Sequence, residues 1–446
     1  MKDINTIDSI ECGKEAAKAF GFAHDYRNLN HGSFGTYPTA IRSVLRHYQD
    51  EAEARPDAFI RYDYPKLLDE SRTAVADCLH APVSACVFVS NATTGVNTVL
   101  RGLVFEPGDV IIHFATIYGA CEKSVNYITE TTPAESKKIA YTYPVSDEWM
   151  CSAFEEAIKD IKASSKNPKV AIFDTIVSLP GVRMPFERLT ALCRKHGVMS
   201  LIDGAHGVGH IPLDLGELDP DFFVSNCHKW LHVPRGCAVF YIPERNQHLI
   251  RSTIPTSHGF IPKPTENTIN NPLPPSGKSD FVTNFEFVGT LDNSPYLCIP
   301  AGLQWRKKLR WGDKSGEQAI IRYTSSLARE AGAVVASALG TKVMENEENT
   351  LQNCNFSNVL LPLSYAEVAG SEHAKAVQVG QWIAQVLVAE YSTFIAIIFY
   401  GEAWWVRLSS QVYLTAEDFE WAAKVLEEVC GRVKAGEWRT ERSSRL

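Results

Sequence analysis

No stretch of this 446-residue sequence stays apolar for the ~20 residues that a membrane-spanning helix needs. The opening residues, MKDINTIDSIECGKEAAKAF, lack the apolar core of a secretory signal and the Arg- and Ser-rich character of a transit segment. Positive charge is not in excess: 44 Lys and Arg stand against 52 Asp and Glu, a formal net charge of −8. Such a surface carries no electrostatic footprint for nucleic acid or an anionic membrane. The eleven cysteines include no C-x-x-C pair. Scattered, reduced thiols, many of them in the core, suit a cytoplasmic protein, and no metal site is expected. No repeat recurs at solenoid periods. What remains is a chain with 45% hydrophobic residues, enough for a large core and more than one domain.

From about Ala52 to Ile242, short apolar runs alternate with longer amphipathic segments. The runs are ACVFVS (85–90), DVIIHFA (109–115), KVAIFD (169–174), VMSLID (198–203), DFFVSN (221–226) and CAVFYI (237–242). Between them, PFERLTALCRKHG (185–197) places Phe186, Leu189, Leu192 and Cys193 on one helical face, with Pro185 at its start and Gly197 at its end. Buried-strand runs separated by helices indicate an α/β domain with a mostly parallel sheet. Residues 254–290 are rich in Pro, Asn and Ser and read as a long loop. Beyond it, a helix near 373–391, strands at FIAIIFY (394–400) and WWVRLS (404–409), and a helix over 416–434 form a smaller α+β unit. Thr415 and Asp418 resemble a capping box opening that last helix. The expected division is an N-terminal arm (1–45), a large domain (46–300) and a helical connection with a small C-terminal domain (301–446).

Ligands of open α/β sheets bind beyond the carboxyl ends of the strands. Three groups stand where such strands stop. Ser90-Asn91-Ala92-Thr93-Thr94-Gly95 precedes a helical run, so its backbone N–H groups can cradle a phosphate; the plainer reading is an N-cap by Asn91 or Thr93. Asp203 ends VMSLID, where a carboxylate is costly unless it meets a cation or proton donor; the plainer reading is a turn residue. Lys229 follows DFFVSN, where burial would favour a neutral, nucleophilic amine; the plainer reading is a snorkelling side chain. Neighbouring Cys227 and His228 point to opposite faces of an extended chain and do not make a metal site. Cradle, acid and lysine in this order suit pyridoxal 5′-phosphate, which needs a Schiff-base lysine and an acid against its pyridine nitrogen.

The motifs DGAHGVGH (203–210) and SNCHKW (225–230) resemble the class V aminotransferase group of fold-type I pyridoxal-phosphate enzymes. Further motifs extend the likeness over most of the chain: NLNHGSFGTYP, SNATTGVNTVLRG, TIYGACEK, LPGVRMPFE, RNQHLIRSTIPTSHGF, NFEFVGTLDNSP and RLSSQVYL. Within the group they look like the fungal C–S lyases of ergothioneine biosynthesis, which cleave hercynylcysteine sulfoxide, and the related cyclase branch of loline alkaloid biosynthesis.

The resemblance implies that fold, with a large domain and a smaller C-terminal α+β domain, in a homodimer with active sites at the subunit interface. It implies catalytic roles for Lys229 and Tyr118, with Tyr118 against the cofactor face. Asp203 would meet the pyridine nitrogen, His206 would lie near the ring, and Ser178 near the ring hydroxyl. Ala92, Thr93 and Thr94 would bind phosphate, helped by Asn226 and His228, while Gly289-Thr290 would reach the neighbouring subunit's phosphate. Arg407 would hold the substrate carboxylate, and Asn30, His31 and Ser33 would cover the mouth. Ser257, His258 and Gly259 are further candidates in the long loop.

One motif departs from the lyase pattern. That pattern has a cysteine shortly before a Tyr-Pro pair; here AESKKIAYTYP places Lys138 at that position. Cys121 is the nearby alternative thiol. The resemblance therefore implies either C–S cleavage of a cysteine sulfoxide conjugate, releasing pyruvate and ammonia, or a ring-forming reaction of fungal secondary metabolism. Desulfurase, epimerase and non-catalytic readings follow behind.

Overall fold

The computed structural model describes Ile4, residues 8–260, Pro262 and residues 273–440. Parts of the N-terminal segment (1–3, 5–7) and of the long loop (261, 263–272) lie outside the described residues, as do residues 441–446.

The central sheet has seven strands: β1 (Cys86–Val89), β2 (Asp109–Phe114), β3 (Glu135–Ile139), β4 (Asn167–Asp174), β5 (Met199–Asp203), β6 (Phe222–Ser225) and β7 (Ala238–Tyr241). Their spatial order is β1-β7-β6-β5-β4-β2-β3. β7 runs antiparallel to β1 and β6, and the other pairs are parallel. The six apolar runs of the sequence form six of these strands, with ends within two residues of those expected. Both faces are covered. In β4, Val170 and Ile172 enter one apolar cluster, while Ala171 and Phe173 enter the other. A strand buried on both sides reads as an unbroken apolar run.

The sequence pattern did not reveal β3. Its residues ESKKI are mostly exposed, and it forms the sheet edge beside β2. Lysines on an edge strand discourage further pairing. A second difference lies in the long loop, where Asp280–Glu286 forms a helix. Ser279 caps it by accepting from the Val282 N–H, and Phe281 and Phe285 are buried.

Helices α1 (Ala92–Gly102), α2 (Gly119–Thr131), α3 (Asp147–Ala163) and α4 (Phe186–His196) lie between strands. The 24-residue α5 (Gly316–Leu339) then leads to a three-stranded antiparallel sheet. In it, β10 (Ala403–Ser409) lies between β8 (Phe356–Leu360) and β9 (Ala396–Tyr400). Helix α6 (His373–Tyr391) precedes β9, and α7 (Ala416–Lys434) follows β10. The reciprocal capping box between Thr415 and Asp418 is formed at the start of α7.

The N-terminal segment is stitched into this body. Ile10–Glu11 pairs in parallel with Leu309–Trp311, and a single turn, His31–Phe34, packs against the segment carrying Lys229. Gly35 closes that turn at φ 65°, where a Cβ would stand 1.8 Å from the His228 carbonyl oxygen. Only glycine permits so close an approach. Among the described residues, no helix is long and apolar enough to cross a membrane.

Candidate active site

Lys229 sits in the short helix Cys227–Trp230, directly after β6. Its amine lies 3.2 Å from His206 Nε2. Burial lowers its pKa from 10.5 to about 8, although Asp203 pulls the other way. The backbone here is fixed from two sides. His31 Nε2–H donates to the Lys229 carbonyl, and His31 Nδ1 accepts from the Tyr413 hydroxyl at 2.9 Å. The fully buried Arg306 donates to the Trp230 carbonyl at 2.6 Å and the Gly209 carbonyl at 3.1 Å, and pairs with Glu317 of α5. Both ring nitrogens of His31 are therefore engaged by protein, so the structure places it beneath Lys229 as a support and not at the open mouth.

Asp203 closes β5 and is almost wholly buried. Its Oδ1 accepts from the Ala205 N–H at 2.9 Å, and its Oδ2 accepts from the Cys121 thiol at 3.3 Å. Burial raises its pKa, opposed by these bonds and by Lys229. Asp174 ends β4 at the register position opposite Asp203. It too is buried, and desolvation together with the Asp203 charge raises its pKa well above the ordinary value. Two carboxyl groups thus meet at the ends of adjacent strands. Asp174 carries the same sequence signal as Asp203, an acid ending an apolar run, but no family motif points to it.

The start of α1 is a prepared N-terminus. Asn91 caps it, its Oδ1 accepting from the Thr94 N–H at 2.9 Å. The Ala92 N–H donates to Asn226 Oδ1 at 2.8 Å, so Asn226 braces the turn. The backbone N–H and hydroxyl of Thr93 have no partner among the described residues. Both the N-cap reading and the anion-site reading of this motif therefore describe features that are present together. Gly95 lets α1 press on β6: a Cβ there would lie 2.7 Å from Val224.

Arg407 projects from β10 and is buried. It donates to the Ser178 carbonyl at 2.6 Å, to Asn30 Oδ1 at 2.9 Å and to Ser33 Oγ at 3.0 Å. Its guanidinium lies 4.4 Å from the centre of the Phe356 ring. No carboxylate among the described residues pairs with it, and its Nε has no hydrogen-bond partner. Desolvation brings its pKa down to about 10. Asn30, Ser33 and Ser178, named separately from the sequence, are thus gathered around one guanidinium, Ser178 through its carbonyl.

The remaining candidates are placed as follows. Tyr118 is 48% exposed and occupies the N-cap position of α2, without a side-chain capping bond, three residues before Cys121. His228 Nδ1–H donates to the Cys237 carbonyl at 2.9 Å, and burial lowers its pKa to about 4. Its Nε2 is then an acceptor, and it meets a phosphate only as the imidazolium. Gly289 and Thr290 lie on an outward-facing loop. Ser257 and Gly259 pack on Asn284, with His258 exposed beside them. Lys138 makes an ion pair with Glu122 of α2 at 2.7 Å. All eleven cysteines are free, and none is fully exposed. Cys121 is held against Asp203, and burial raises its thiol pKa strongly, so it is no ready nucleophile. Trp404 of β10 is core: its indole donates to the Ala376 carbonyl at 2.9 Å.

These residues fit pyridoxal 5′-phosphate on their own chemistry: a lysine near neutrality, a buried carboxylate, and open donors at a helix start. The aminotransferase class-V family model matches residues 42–274. The L-cysteine desulfhydrase-like protein lolT1 of Epichloe uncinata is 40% identical over 96% of this chain and 98% of its own. The hercynylcysteine sulfoxide lyase of Schizosaccharomyces pombe is 28% identical over 94% of this chain and 98% of its own. Among solved structures, the cystine C–S lyase C-DES, in complex with its product cysteine persulfide, superposes with a TM-score of 0.73. It is 18% identical and covers 91% of this chain and 98% of that one. On the family match and the 40% identity, the chain belongs to the class V aminotransferase family of pyridoxal-phosphate-dependent enzymes.

Proposed function

We propose that the protein is a pyridoxal-phosphate-dependent C–S lyase acting on a cysteine-derived α-amino acid, with a sulfoxide conjugate as its substrate type. The observation that carries the amino-acid part is Arg407, a buried cation without a counter-ion among the described residues, electrostatically coupled to Lys229. A substrate carboxylate supplies the missing charge through paired hydrogen bonds. The relatives' names supply the sulfur chemistry: they are a desulfhydrase-like protein and a sulfoxide lyase.

Bound at this site, the cofactor ring provides an electron sink for charge developing at the substrate Cα. Thr93 and the start of α1 would hold its phosphate, and Asp203 would meet its pyridine nitrogen. Tyr118 would cover one face of the ring, and His206 lies beside Lys229. Arg407, positioned by Asn30, Ser33 and Ser178, fixes the carboxylate. The Lys229 amine takes the Cα proton. Sulfur leaves Cβ with the bonding pair as a sulfenic acid or thiol, and water converts the remaining three-carbon fragment to pyruvate and ammonia. No cysteine offers an exposed, activated thiol at the site, which favours release of the sulfur species over its transfer to protein.

A second reading, a ring-forming reaction at Cα, is favoured by the Lys138–Glu122 ion pair where the lyase pattern has a cysteine. Pyruvate release from a cysteine sulfoxide conjugate separates the two. Its absence in protein with a normal cofactor spectrum overturns the lyase reading.

We assign a homodimer to the active form. Phe34 (69% exposed), Leu291 (64%) and Tyr62 (58%) are apolar and uncovered. Gly289-Thr290 sits next to a hollow of about 400 Å³ lined by Phe59, Ile60, Phe287 and Leu291. The apolar lining of this hollow is what a second copy of the chain would cover. Free, largely buried thiols fit a cytoplasmic location.

A further inference from the structure

Trp230 follows Lys229 in sequence but takes no part in the chemistry above. Its indole is almost wholly buried and stacks on His210 with ring centres 3.9 Å apart. Phe356 and His31 flank it at 5.4 and 5.2 Å. Its Nε1 lies 3.1 Å from His206 Nδ1. An indole N–H can only donate, so Nδ1 must be the accepting, unprotonated nitrogen. In a neutral imidazole the proton then resides on Nε2. Burial keeps His206 neutral, with Lys229, Arg407, His210 and His228 all adding to the effect. The Nε2–H that remains points at the Lys229 amine, 3.2 Å away. A donor facing the amine can be accepted by the neutral –NH2 but not by –NH3⁺, which has no lone pair.

We propose that Trp230 is a positioning residue: its indole N–H locks His206 in the Nε2–H tautomer, so that the imidazole donates to the free amine of Lys229 and offers no acceptor to the ammonium. The proposal rests on the reading of Lys229 as the cofactor-binding amine. Without the indole N–H, the Nδ1–H tautomer becomes accessible. Nε2 then accepts from the lysine ammonium and stabilises it. The titratable groups facing Lys229 are Asp203 on β5, Asp174 on β4, Arg407 on β10 and the Cys121 thiol on α2, with the neutral imidazoles of His210 and His228. None of them changes on loss of the indole N–H, so the effect runs through His206 alone.

The test is the rate at which apoprotein captures pyridoxal 5′-phosphate, followed by absorbance across the pH range from ~6 to ~10. In the otherwise native chain, Trp230→Phe is expected to move the midpoint up by about one pH unit and to slow capture at neutral pH roughly tenfold. With His206→Leu already in place, adding Trp230→Phe is expected to leave the midpoint where His206→Leu puts it. A packing role shifts both backgrounds alike, or shifts neither midpoint, and either result overturns the proposal. Nitrogen NMR of histidine-labelled native apoprotein tests the tautomer without any change at Trp230. The His206 signals, identified by their loss in His206→Leu, must show a protonated Nε2, and a protonated Nδ1 overturns the proposal. If the native apoprotein captures no cofactor at all, the reading of Lys229 falls first.

Discussion

Replacing Arg407 by methionine removes a charge while keeping most of the side-chain volume. The native cation is expensive to keep: burial brings its pKa down to about 10, which corresponds to roughly 3 kcal/mol. Against that stand three hydrogen bonds, to the Ser178 carbonyl, Asn30 and Ser33. At about 1–1.5 kcal/mol net for each, they contribute about 3–4.5 kcal/mol. The two terms nearly cancel, so Arg407→Met should change the stability of the substrate-free enzyme by only about 1 kcal/mol, or a few degrees in Tm. Substrate binding has no such compensation. The carboxylate loses its one buried partner, and breaking a desolvated charge pair costs about 3–4 kcal/mol, or roughly 10²–10³-fold in kcat/KM.

The assay pairs thermal denaturation without substrate with pyruvate kinetics on the acid and on the corresponding carboxamide. The native enzyme should prefer the acid by that factor, and the variant should barely distinguish the two. A variant that keeps the preference, or that unfolds tens of degrees early while losing no discrimination, refutes the assignment of Arg407 to the carboxylate.

Three further outcomes follow from the same site. Lys229 has its pKa lowered from 10.5 to about 8, so its ammonium is penalised in the folded state below that value. Cofactor capture by apoprotein should therefore rise with pH and level off above about 8, and Lys229→Ala should abolish both the bound-cofactor spectrum and turnover. Asp174 has a raised pKa, so folding takes up a proton above the unfolded carboxyl value and stability falls as pH rises. Asp174→Asn removes that slope: apoprotein Tm should exceed native at pH ~8 and match it near pH ~4, and the reverse order would contradict the burial argument. Brief alkylation of the native enzyme should leave activity intact, because no cysteine is fully exposed and Cys121 is held as a buried thiol on Asp203. Loss of pyruvate formation in step with a single alkylated cysteine would show that a thiol takes part.

The sequence revealed most where one strong physical demand acted on a run of neighbours. β4 and β5 must exclude water from both faces, so their apolar runs mark them, and the acid ending each run stands out. β3 met no such demand. It lies at the sheet edge with lysines outward, and its five residues carry no apolar period. Three-dimensional convergence was less legible. Asn30, Ser33, Ser178 and Arg407 come from three distant segments, and the sequence alone does not say that the first three serve the fourth. His31 shows the same limit from the other side: its motif suggested the mouth, but Tyr413 and the Lys229 carbonyl claim both its nitrogens.

The groups hidden from the sequence share a property with those it revealed. Lys229, Arg407, Asp203 and Asp174 are all titratable groups largely withdrawn from water, and each has its pKa moved toward the neutral form by that burial. A core built for stability alone would replace them with apolar residues of similar volume. They persist here because the fold meets their needs only in part. Among the described residues, Arg407 keeps an unmatched Nε–H, Thr93 an unmatched N–H, and Asp203 a carboxyl group that faces another acid, Asp174, at the neighbouring strand end. Each deficit matches a complement that an amino acid and a phosphorylated pyridine ring carry together: a carboxylate, a phosphate and a protonated nitrogen. Stabilisation on cofactor binding should therefore exceed what contact area alone predicts, because it relieves charges that the empty fold already holds at a cost. Substituting Asp203 or Thr93 should lower the Tm of the cofactor-loaded protein by more than it lowers that of the apoprotein.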